Sequence, residues 1–150
     1  MKNLIDKSLQ PGNIDLGILF VRVSIGLLML THGLPKLSML LSDEPVGFPG
    51  VFWMSATFSL ALTILAEVVC SLLIILGAGT RLATIPLMIT MVVAAFHIHG
   101  ADPFAKKEMA LIYLAGYIFL FIVGFGKYSV DHMFAKNKLV PQRRSSLVEQ

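Results

Sequence analysis

A chain of 150 residues that is 56% hydrophobic and only 14% charged, with a mean hydropathy of +0.80, cannot clothe a water-soluble globule. Soluble domains carry about 25% charged residues, so lipid is the expected solvent for much of this single-domain chain. The net charge of +3 and pI near 9.2 do not point to nucleic acid, because the lysines and arginines sit at segment ends and in the tail with no basic face interleaved by aromatics.

A membrane-crossing helix needs about 20 mostly apolar residues, and four stretches approach that. The first runs from Leu16 to Leu34 and carries Arg22. The second runs from Val51 to Ala78 and carries Glu67 and the lone cysteine, Cys70. The third, Leu82 to Ile98, is free of Asp, Glu, Lys and Arg, and has Pro86 near its start. The fourth runs from Met109 to Phe125. The breaks between them are rich in proline and glycine: Pro45 to Gly50, then Gly77-Ala78-Gly79-Thr80-Arg81, then Gly100-Ala101-Asp102-Pro103. The second break is short enough to require an antiparallel hairpin. The expected fold is therefore all-α, an antiparallel four-helix membrane bundle over 15–132, between an N-terminal segment 1–14 and a basic tail 133–150 expected to be disordered. A cleaved signal peptide is not expected, since no small-residue cleavage pattern follows the first apolar run.

Lys and Arg in short loops set orientation. With both termini and the second loop on one side, that side holds Lys2, Lys7, Arg81, Lys127, Lys136, Lys138, Arg143 and Arg144, against Lys36, Lys106 and Lys107 on the other. The expectation is a multi-pass membrane protein with both ends in the cytoplasm.

Ionisable residues inside a membrane helix cost at least about 2.5–3.5 kcal/mol on insertion scales, so they need partners and often mark function. Arg22, Gly26, Met29, Gly33 and Lys36 fall on one stripe of the first helix, with His32 beside it. That stripe is expected to face the bundle, its glycines admitting a neighbouring helix. At 1.5 Å per residue, Arg22 lies about 9 Å in from the cytoplasmic side, Glu67 about 15 Å, His97 about 22 Å and His32 about 24 Å. An Arg22–Glu67 pair is therefore expected, with snorkelling of Arg22 to the headgroups as its alternative. His97 and His99 project about 200° apart on a helix, so at most one of them faces deep into the interior and the other is expected at the interface. The candidate polar site is Arg22, His32, Lys36, Glu67 and His97, with His99, Glu108 and Arg81 as secondary candidates. Glu108 and Lys36 also read as solvated loop-edge charges. Cys70 reads as a small buried hydrophobe, and with no second cysteine there is no disulfide, dithiol or Cys-x-x-Cys metal motif.

These residues resemble the DoxX family of small bacterial membrane proteins. The resemblance rests on Arg22-Val23-Ser24-Ile25-Gly26-Leu27, on Thr31-His32-Gly33-Leu34-Pro35-Lys36-Leu37 and on Glu67. It continues through Leu76-Gly77-Ala78-Gly79-Thr80-Arg81-Leu82-Ala83, His97, His99 and Glu108 to the exit Gly124-Phe125-Gly126-Lys127-Tyr128-Ser129-Val130-Asp131. It implies a four-span fold, and a link to quinone handling and thiol or oxidative-stress homeostasis, with soluble or membrane redox partners.

Three functions compete on the sequence. One is a redox-associated subunit binding a quinone, with His32 and Lys36 donating and Glu67 relaying a proton. Another is a non-enzymatic scaffold, or a homo-oligomer, in which buried charges lock helix register. The last is a small proton-coupled solute carrier. A haem between His32 and His97 has no further sequence support.

Overall fold

The computed structural model describes residues 11–42 and 45–136, and all of its regular structure is helical. Helix α1 spans Pro11–Leu41. Helix α2 spans Ala56–Leu76, with a π-helical stretch at Leu65–Cys70 between α-helical ends. Helix α3 spans Thr80–Ile98, π-helical over Val93–Ile98, and α4 spans Phe104–Val123. A short helix, α5, covers 130–136, so the last residues of the folded part reach into the expected tail; 1–10 and 137–150 lie outside the described residues.

Local chemistry explains where these helices start and stop. Ser55 caps α2 by accepting a hydrogen bond from Phe58 N–H, which places its start five residues after the expected Val51. Gly77, at φ +71°, ends α2 in the left-handed conformation, with Ala78 N–H bonding back to Leu73 C=O. Helix α1 runs through Pro35 to Leu41, well past the expected Leu34, since a proline's missing donor is tolerated in membrane helices. That extension puts Lys36 on a helix rather than in a loop.

Each helix packs antiparallel on the next: α1 on α2, α2 on α3 and α3 on α4, with α1 also meeting α4. The core holds Met29 of α1, Cys70 and Ile74 of α2, Leu87 and Met91 of α3, and Tyr113, Tyr117 and Leu120 of α4. The expected first-helix stripe does face inward, with Arg22, Gly26, Met29 and Gly33 all buried. A Cβ on Gly33 would lie 2.8 Å from Val68 Cγ2 and 3.1 Å from the Glu67 backbone, and one on Gly26 would lie 2.5 Å from Ile75 Cγ1. Those two glycines let α2 lie directly on α1.

The burial pattern is that of a membrane protein turned outward. Phe20, Leu82, Phe96, Ile112 and Ile122 are exposed, while Arg22, Glu67, Ser71, Thr80 and Thr84 are buried. Among the described residues, three helices are long and apolar enough to cross a bilayer: Gly12–Leu41, Ala56–Leu76 and Thr80–Ile98. Helix α4 starts five residues before the expected Met109 and carries Lys106, Lys107 and Glu108 in its first turns, which leaves Met109–Val123 as its apolar part.

Candidate functional site

The charges inside the bundle separate into two groups at its opposite ends. Glu67, 3% exposed, sits in the π-helical stretch of α2, and Lys36 Nζ donates to both of its carboxylate oxygens, at 2.5 and 2.6 Å. Single-turn π insertions recur at functional sites because they swing one side chain out of helical phase. The pair borders a pocket of about 180 Å³, with His32, His99, Lys106 and Tyr113 on its polar wall and Met29, Met91 and Ala94 on its apolar one. His32 packs edge-on against Tyr113 at 5.8 Å between centroids, and Tyr113 stacks on Tyr117 at 6.2 Å. The buried Tyr117 hydroxyl has no hydrogen-bond partner among the described residues.

His99 enters the pocket wall with its Nδ1 2.8 Å from Asp102 Oδ2. An ionised carboxylate only accepts, so Nδ1 carries the proton in this contact. Lys106 Nζ approaches the other Asp102 oxygen at 3.5 Å. The His99 hydrogen bond, helped by the Lys106 charge, holds the Asp102 carboxyl below the usual carboxylate range.

The expected Arg22–Glu67 pair does not form. Lys36 occupies Glu67, and Arg22 lies fourteen residues earlier on α1, about 21 Å along its axis. Helical side chains lean toward the N-terminus, so Lys36 leans back toward Glu67 while Arg22 leans away from it. Arg22, 1% exposed, donates instead to the backbone carbonyls of Phe125, Tyr128 and Ile75. It does not snorkel.

Around Arg22 the exit segment is fastened to the turn between α2 and α3 and to the start of α1. Gly79 N–H donates to Asp131 Oδ2 at 2.7 Å, Asp131 N–H to Gly77 C=O at 3.1 Å, and Lys127 Nζ pairs with Asp15 at 3.1 Å. A Cβ on Gly77 would lie 2.5 Å from both Arg22 Nη1 and Ser129 Cβ, so only glycine fits there. Exposed Arg81 donates to Ile122 C=O at 3.2 Å and holds the end of α4. Arg22 and Arg81 thus belong to a structural clasp away from the pocket.

His97 does not line the pocket either. Its ring stacks on Phe52 at 4.8 Å, and the pocket histidine of α3 is His99. The π-helical turn at Val93–Ile98 shifts the phase on which the pair had been assigned. His32 and His97 thus share no pocket. Glu108 is exposed and faces a lipid-side groove. Asp102 and Tyr113 had not been singled out from the sequence. The His99-x-x-Asp102 spacing across a turn and the hydroxyls spaced i, i+4 in an apolar helix were the available signals. Among the described residues no three His, Cys, Asp or Glu side chains converge on a metal-sized site.

The DoxX family profile matches residues 17–100. The chain belongs to the DoxX family. The matched stretch holds every pocket residue contributed by α1, α2 and α3, including Lys36, Glu67 and His99, whereas Asp102, Tyr113 and the exit half of the clasp lie beyond it. An uncharacterised membrane protein of Mycobacterium tuberculosis is 30% identical over 135 aligned residues, covering 79% of this chain and 82% of its own. No solved structure matches. Membership, the apolar exterior and the three long helices together make this a multi-pass protein of the cytoplasmic membrane.

Proposed function

We propose that this DoxX family protein is a redox-associated membrane subunit that binds a quinone, or a similar small carbonyl compound, in the pocket bordered by Lys36 and Glu67. In this reading α4 is a fourth span, its lysines at the outer mouth, and the termini are cytoplasmic as the Lys and Arg distribution favours. The observation that carries the reading is a buried carboxylate paired with a partly exposed lysine on the wall of a cavity that also holds two imidazoles and a phenol. A structural ion pair needs no cavity beside it.

Size and chemistry fit the ligand. A cavity of roughly 150 Å³ accepts benzene, so about 180 Å³ takes one six-membered ring with its carbonyl oxygens. Lys36, His32 and Tyr113 offer donors to those oxygens. A quinone takes up electrons and protons together when reduced, so its site needs groups that hand over protons. Glu67, balanced by Lys36, holds a charge at the inner wall. His99, oriented by Asp102 at the loop between α3 and α4, exchanges protons with water at the outer wall. Cys70 is a single buried thiol, so thiol–disulfide chemistry would belong to a partner protein.

A second reading, that the charges only hold the bundle together, is favoured by the Arg22 clasp, which has that form. Titration of the purified protein with an oxidised quinone, followed by absorbance, separates the two. Saturable binding in wild type that Glu67→Gln abolishes, at unchanged protein yield, supports the redox reading. A loss of yield and no binding in either form supports the scaffold.

A further inference from the structure

Beside the pocket, on the lipid-facing side, lies a second hollow. Between α1 and α4 runs a groove of about 610 Å³ walled by Phe20, Ile25 and Leu28 of α1 and by Met109 and Ile112 of α4. His32, Met109 and Tyr113 line both this groove and the polar pocket, so the two lie side by side with only these side chains between them. Chemistry changes along its length. Thr31, His32, Glu108 and Tyr113 gather at the pocket end, whereas Ser24 is the sole polar residue in the remainder of the lining. From Phe20 to His32 the groove follows α1 for about 18 Å, which is the scale of a hydrocarbon tail rather than of a second ring. The helices touch beneath it, since a Cβ on Gly116 would lie 2.3 Å from Ile25 Cδ1, and this contact forms a floor. Its outer rim is open to lipid, with Phe20 71%, Leu28 57% and Ile112 64% exposed.

We infer that the α1–α4 groove is the lateral entrance of the pocket and seats the long apolar tail of a membrane-dissolved ligand whose single-ring polar head lies beside Lys36 and Glu67. This rests on the function proposed above and adds the ligand's class and route: an amphipath that arrives from the bilayer and never passes through water. The match is between two compartments of opposite polarity joined at His32 and Tyr113 and an occupant with the same division. A phospholipid acyl chain would fill the groove equally well but brings a charged phosphate rather than a flat ring to the pocket. The test below separates these sources.

The test uses the full chain in lipid nanodiscs, with a benzoquinone carrying a ten-carbon tail and the same ring without a tail. Leu28→Trp and Ile112→Trp fill the groove from two different helices at lipid-exposed positions that do not line the polar pocket. Comparing variant with wild type for one compound cancels its partition into lipid. The expected result is that each variant weakens the tailed compound by roughly tenfold or more, because several methylenes lose their contacts. Binding of the bare ring should stay within about twofold of wild type. Equal effects on both compounds, or none on either, would overturn the groove while leaving the pocket standing. If neither compound binds wild type, the pocket reading fails first and this inference fails with it. A phospholipid retained through purification that the tailed compound cannot displace would also overturn it. Should one variant not fold, the other decides.

Discussion

Lys36 and Glu67 stand on different helices, and each solves the other's problem: the carboxylate is almost fully buried, and the lysine supplies its counter-charge. Parting such a pair leaves one charge in low dielectric at a cost of about 3–5 kcal/mol. Lys36 keeps 27% exposure, so the lower end applies. Lys36→Met should therefore destabilise the protein by about 3 kcal/mol, and Lys36→Met with Glu67→Leu by less than Lys36→Met alone. Unfolding in mild detergent reads both, and a double variant less stable than the single one would contradict the pairing. At the outer wall, Asp102 has its carboxyl held low by His99 and Lys106. A depressed folded value means that its stabilising contribution is fully present above the ordinary value of 3.8 and is lost as pH falls through the lower folded one. Stability should thus decline on acidification below about pH 4, and Asp102→Asn should flatten that limb. A titration by NMR of the Asp102 carboxyl that shows an ordinary value would contradict the hydrogen bond. The residue types at this site were legible in the sequence, since ionisable groups in apolar helices stand out. Their partners were not, because depth along a helix axis locates Cα atoms and not the side chains, which lean toward the N-terminus.

At the scale of elements, Gly26 and Gly33 set the contact between α1 and α2. Both were legible from their seven-residue spacing on one stripe with Arg22 and Met29, and both are buried against α2. Gly33→Leu should push α2 away at Glu67 and cost about 1–3 kcal/mol or more, with thermal unfolding as the readout. Gly17→Leu, at a position with nothing within 4 Å, should change little. The π-helical stretches Leu65–Cys70 and Val93–Ile98 were not legible. Regular helical periodicity predicts one phase along the whole element, and a single inserted residue breaks it without changing hydropathy. Unbroken periodicity therefore points His97 inward, whereas in the fold His97 stacks on Phe52 and His99 lines the pocket.

At the scale of the whole molecule, one end of the bundle is held by Arg22, bonded to three backbone carbonyls, while charges at the other end line a pocket. Arg22→Met should release three carbonyls from their donor, at a cost of about 3 kcal/mol or more. It should also expose the segment around Lys127 to protease, while the pocket at the far end keeps its ligand. A protease pattern identical to wild type would contradict the clasp. Membrane class, the all-helical fold and the family's residues were readable from composition, punctuation and motif. The division of those residues into a clasp and a pocket was not, because it depends on which backbone carbonyls the exit segment brings to Arg22.

The central claim, that the Lys36–Glu67 pocket holds a small redox ligand, is tested most directly by extracting the protein purified in mild detergent and reading the extract by mass spectrometry and absorbance. A quinone present at about one per chain in wild type, and lost in Glu67→Gln protein of equal yield, is the predicted result. An extract holding only phospholipid, unchanged by the substitution, would contradict it.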